Sequence, residues 1–83
     1  MGKYDLLYAY LKQKTEVSLE LSFKEVESII GFKLPKSAYS YTAWWSNSKT
    51  KAHPYSHAWL DAGYRTIDVS TNLGRQVVTL KKV

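Results

Sequence analysis

A cysteine-free chain of 83 residues, 45% apolar and 14% aromatic, with twelve basic against seven acidic side chains and a formal charge of +5, reads as one domain, residues 1–83. Without thiols there is neither a disulfide nor a thiolate zinc site, so three tryptophans, seven tyrosines and two phenylalanines have to supply the core. No apolar run of about 18 residues is present to span a membrane, and the basic excess favours a polyanionic partner.

The opening MGKYDLLYAYLKQK is interrupted by Asp5 and by tyrosines, which excludes a secretory leader. Leu6 stands where a myristoylation motif needs Ser or Thr, so Gly2 is no acceptor and a cytoplasmic location is expected. Tyr4, Leu7, Tyr8 and Leu11 recur at helical spacing, with Asp5 in the first turn and Lys12 in the last, which predicts a helix over about Tyr4–Lys12. From Thr15 to Leu21 the period changes to two: Val17, Leu19 and Leu21 alternate with Glu16, Ser18 and Glu20, as in a strand with one face buried. Ser22-Phe23-Lys24-Glu25 has the form of a capping box. Phe23, Val26, Ile29 and Ile30 make an apolar stripe behind it, and Gly31 is placed to end a helix over Phe23–Ile30.

Pro35 forces a break, and a further helix is expected from there, or from Ser37 as its cap, to Trp45. On that helix Ala38, Tyr41 and Trp45 face the core, while Lys36, Ser40 and Tyr39 face solvent. Residues 46–52 are polar and aperiodic, a loop. Pro54 and Gly63 bracket a short fourth helix carrying Tyr55, Ala58, Trp59 and Ala62. Two alternating segments, Tyr64–Val69 and Gln76–Lys82, flank a turn containing Asn72 and Gly74. They form a hairpin with Ile67, Val69, Val78 and Leu80 inward.

The lone strand after the first helix needs a partner, and the C-terminal hairpin supplies it. The expected fold is therefore α+β: three to four helices with a small three-stranded antiparallel sheet, similar in element order to a winged helix-turn-helix. In that plan Pro35–Trp45 is the recognition helix. The motifs KYDLLYAYL, SFKEVESIIGFKLPKSA, WWSN and HAWLDAGYRTIDV resemble a family of small uncharacterised bacterial and phage domains. That resemblance implies a stand-alone domain without an appended catalytic part.

Trp45 and Trp59 are assigned to the core. Adjacent helical residues point about 100° apart, so Trp44 is the ring left to line a surface. Lys33 and Lys36 at the head of the recognition helix, Lys49 and Lys51 in the loop and Arg75 at the hairpin are the candidate phosphate contacts. Ser37, Ser40, Tyr39 and Asn47 are candidate hydrogen-bond donors beside them. His53, His57 and Asp61 are spaced by four but lack a further ligand, so no metal is assigned, and no cofactor motif is present. No activated nucleophile, Gly-rich phosphate loop or carboxylate pair points to an enzyme. The function expected is nucleic-acid binding, DNA before RNA, by a monomer or homodimer through the 35–45 helix, the 46–52 loop and the hairpin. The alternative is a protein-binding regulator or inhibitor that uses the same aromatic and basic surface.

Overall fold

The computed structural model describes residues 3–48 and 54–83. In chain order they form α1 (Asp5–Lys12), β1 (Ser18–Ser22), α2 (Phe23–Ile30), α3 (Lys36–Ser40), a 3-10 turn (Thr42–Trp45), a second 3-10 turn (Pro54–Ser56), α4 (His57–Leu60), β2 (Tyr64–Asn72) and β3 (Arg75–Lys82). The sheet is antiparallel with order β1-β3-β2, so the early strand does pair with the C-terminal hairpin. This is an α+β fold with helices on one side of a three-stranded sheet.

Register follows the alternation. Leu19 faces Leu80 and Leu21 faces Val78, which turns one side of the sheet toward the helices. The core fills that side: Leu7 and Leu11 of α1, Phe23, Val26 and Ile30 of α2, Trp45, Trp59, Tyr64, Val78 and Leu80 are all buried. At the start of α2 the capping box is present in full. Ser22 Oγ accepts from Glu25 N at 3.0 Å and Glu25 Oε1 accepts from Ser22 N at 2.9 Å, which satisfies two of the otherwise unpaired amides. Gly31 ends the helix at φ 83°, a left-handed conformation that a side chain would strain.

Four expectations require correction. First, the recognition helix does not run to Trp45. It stops after five residues at Tyr41, whose φ of −129° and ψ of 120° are extended. In a continuous helix the carbonyl of Ala38 would accept the amide of Thr42. Here it accepts the Trp45 indole N–H at 3.0 Å instead, and Ser37, Ser40 and Thr42 are poor formers that do not resist the break. Pro35 rather than Ser37 occupies the cap position. Second, the break turns Tyr41 outward, 66% exposed, so it does not close the core.

Third, Ile67 is 53% exposed rather than inward. The register shifts between Thr66 and Asp68, and this bulge breaks the period-two alternation at that residue. Val69 is half-buried and Val78 and Leu80 are buried, as the pattern beyond the bulge requires. Fourth, Val17 lies outside the ladder and is 64% exposed. Its connector is anchored through backbone oxygens: Tyr64 donates its hydroxyl to Glu16 O at 2.6 Å, and Lys82 N donates to Val17 O at 2.7 Å. The expected fourth helix is divided into the turn Pro54–Ser56 and α4, and Gly63, at φ 90°, ends it before β2.

Candidate nucleic-acid interface

Both adjacent tryptophans are interior: Trp45 is 2% and Trp44 is 7% exposed. The expectation that Trp44 lines a surface is thereby corrected. The two rings do diverge, meeting edge to face at 4.7 Å, but packed elements stand on both sides of the 3-10 turn. Trp45 stacks on Phe23 of α2 at 5.0 Å and lies 5.9 Å from Trp59 of α4. Trp44 stacks on Tyr55 at 4.0 Å and meets Tyr4 edge-on at 5.9 Å. Such pairs add roughly 0.5–1.5 kcal/mol each beyond the area they bury.

Asn47 follows these rings and ties the helical layer to the free edge of β2. Its Oδ1 accepts from Trp59 Nε1 at 3.1 Å and from Thr66 N at 2.9 Å and lies 3.0 Å from Thr66 Oγ1, while its Nδ2 donates to Thr66 O at 2.8 Å. The side-chain amide thus pairs with one strand residue as a neighbouring strand would. Thr66 Oγ1 donates to Trp45 O at 2.7 Å, which closes the network. An amide engaged on every side is scaffold, and it has little left to offer a base edge.

Three of the exposed lysines lie on α2, α3 and the turn between them. Lys24 on the first turn of α2, Lys33 in the α2–α3 turn and Lys36 at the start of α3 are all exposed, as is Ser40, with Ser37 half-buried. Lys24 and Lys33 reach a common cleft of about 320 Å³ whose other walls are Glu27, Leu34, Tyr39 and Gln76 of β3. Among the described residues no carboxylate forms an ion pair with Lys24, Lys33 or Lys36.

Glu27 is the one acid of the cleft, and its carboxylate is held from within. Oε2 accepts the Leu34 amide and the Tyr39 hydroxyl, both at 2.8 Å, which fixes the turn between α2 and α3. Tyr39, expected on the solvent face, is instead half-buried against Phe23 at 5.2 Å. Burial first, then the hydrogen bond to Glu27 and its charge, push the Tyr39 phenol up to about 12. It stays protonated and keeps donating to Glu27.

Arg75 is at the hairpin as expected, but its guanidinium bonds Glu20 Oε2 across the sheet at 2.6 Å, with both groups largely exposed. An exposed pair of this kind contributes about 0–1 kcal/mol, so it orients Arg75 more than it stabilises the fold. Lys49, Lys51 and His53 lie outside the described residues. His57 approaches Asp5 of α1 with Nε2 at 3.7 Å from Oδ1. Among the described residues no group of three or more metal-binding side chains converges. Lys24 and Gln76 escaped sequence reasoning. The signal for Lys24 was its place two residues after the Ser22 cap, which fixes it beside the N-terminal end of α2. Gln76 carried no signal short of the tertiary fold.

The arrangement defines a class of protein: a small α+β domain whose aromatic core supports a lysine-lined cleft between a helical turn and a β-hairpin. The chain belongs to the family described as a domain of unknown function (DUF7662), whose model matches residues 4–83. No curated protein and no solved structure matches it. Among the described residues no helix is long and apolar enough to cross a membrane.

Proposed function

We propose that this domain binds nucleic acid, duplex DNA in preference to RNA, and that it acts as a binder rather than an enzyme. One observation carries the reading. Lys24, Lys33 and Lys36 come from two helices and the turn between them, are left without ion-pair partners among the described residues, and two of them share a cleft with Gln76. Unpaired lysines beside a carboxamide offer point charges and a hydrogen bond to phosphate oxygens, the contacts that position a protein on a backbone. The element order and the β1-β3-β2 sheet support the likeness to a winged helix, with α2 as the supporting helix, α3 as the reading helix and β2–β3 as the wing.

Because α3 has five residues, about 7.5 Å at 1.5 Å per residue, it offers few side chains to a groove. Lys36, Ser37 and Ser40 are the ones on hand. Affinity in this reading is dominated by phosphate contacts and sequence preference is weak. Three such contacts give a slope of log K against log salt of about −2.7, or roughly a 40-fold loss between 50 and 200 mM. Fluorescence anisotropy with a labelled duplex reads this directly, and charge reversal at Lys33 or Lys36 weakens binding to all sequences alike. An affinity that does not change with salt rejects the proposal.

A second reading, a protein-binding regulator or inhibitor, is favoured by a different surface. Tyr41 and Ile67 are exposed apolar side chains, and Ile67 edges a cleft of about 330 Å³ between the Thr42–Trp45 turn and the bulge of β2. Aromatic and aliphatic anchors beside a cleft suit a protein partner. Nuclease-resistant co-purification of one stoichiometric protein, lost on Tyr41→Ser or Ile67→Ser, distinguishes it from the first.

A further inference from the structure

We infer that the β2–β3 hairpin ends in an apolar wedge that enters the minor groove and unstacks a base step, so that the domain bends the duplex it holds; this rests on the nucleic-acid reading above. Leu73 is 95% exposed, more than any other large apolar side chain among the described residues. It sits in the two-residue connection between Asn72 and Arg75, which face each other across the ladder. Keeping such a side chain in water forgoes about 1.5–3 kcal/mol that burial would supply, in a chain that buries most of its other leucines.

The surroundings of Leu73 suit a groove rather than an apolar interface. Asn72, Gly74 and Arg75 are exposed on either side of it, and Gly74 opens onto free space. An apolar wedge beside an Asn matches the side chains that minor-groove proteins use to part base steps while contacting the groove floor, with Arg75 held back by Glu20.

A wedge also has to resist recoil, and the base of this hairpin is braced. Arg75 bonds Glu20 of β1 at 2.6 Å, and Ser70 Oγ donates to Arg75 O at 2.6 Å. Placement agrees as well. Gln76 lines the lysine cleft, and Leu73 lies three residues away on the same hairpin, at most about 10 Å along the chain. A phosphate held in the cleft therefore leaves Leu73 within reach of the adjoining minor groove, which is about 6 Å wide.

The test uses the full chain at low salt and a duplex of about 30 base pairs with one central TA step, the kind that kinks most readily. Dyes at the two ends report bending by energy transfer, and 2-aminopurine beside the TA step reports unstacking. Wild type is expected to raise both signals. Leu73→Ser is fully exposed and leaves the phosphate contacts in place, so it binds within about threefold of wild type but returns both signals to those of free duplex. Leu73→Met retains them. If wild type binds and neither signal moves, or if Leu73→Ser bends as wild type does, the wedge is overturned and the nucleic-acid reading stands. If wild type does not bind the duplex at all, both fall together.

Discussion

Replacing Asn47 by alanine tests whether this residue is scaffold or contact surface. The substitution removes the acceptor of the Trp59 indole N–H and both backbone partners of Thr66 on the free edge of β2. Trp59 is 1% exposed, so no water replaces its partner without opening the core. The Thr66 hydroxyl keeps its bond to Trp45 O and is not stranded. A buried polar group left unpaired costs about 1–3 kcal/mol, so the indole and the Thr66 backbone together lose roughly 2–5 kcal/mol. For 83 residues the whole stability is about 4–12 kcal/mol. At roughly 4–8 °C per kcal/mol, Tm falls by about 8–40 °C. Urea and thermal unfolding followed by circular dichroism measure the loss. A Trp59→Phe background removes the indole N–H, and there Asn47→Ala costs less, because the two changes share one bond. If the two costs add, or if Asn47→Ala changes stability by less than about 0.5 kcal/mol while weakening DNA binding, the scaffold assignment is wrong.

Three further outcomes follow from the fold. Tyr64→Phe removes the hydroxyl bonded to Glu16 O inside the protein and costs about 1–2 kcal/mol in chemical unfolding. Gly31→Ala meets open space but must hold φ 83°, so it loses about 1–2 kcal/mol through backbone strain alone, where the same change at exposed Gly74 is near neutral. The Tyr39 phenol is raised above its ordinary value of 10.0 to about 12 by burial and by Glu27. A raised folded pKa means that its share of stability is complete below pH ~10 and is lost as pH rises through ~12, because the unfolded chain ionises first. Tyr4, Tyr55 and Tyr64 are raised by burial in the same direction. Stability measured from pH 9 to 12 therefore declines, less steeply in Tyr39→Phe, and an equal decline in both removes Tyr39 from the account.

The layout of α1, α2 and the three strands was legible because each carries a local signal: helical spacing, a capping box, or alternation bounded by turn residues. What was not legible had a tertiary cause. The Trp45 indole takes the carbonyl of Ala38 and ends α3 early, and nothing in KSAYSYTAWW announces a bond made seven residues away. The bulge follows Thr66, whose amide and carbonyl are engaged by Asn47, a contact that alternation alone does not reveal. For the two tryptophans, the divergence of adjacent helical side chains was sound reasoning, but it assumed a core on one side only. Of the expected basic residues, Arg75 is tied to Glu20. Lys33 and Lys36 stand exposed where the turn signals placed them, while Lys24 and Gln76 complete the cleft through contacts distant in sequence.

In the proposed reading Lys24, Lys33 and Lys36 are the phosphate contacts. Its most direct test is the salt dependence of duplex binding for wild type and for Lys24→Gln, Lys33→Gln and Lys36→Gln. Each neutralised contact is expected to reduce the slope of log K against log salt by about 0.9, with folding unchanged, since all three side chains are exposed. Slopes identical to wild type in all three variants would contradict the account.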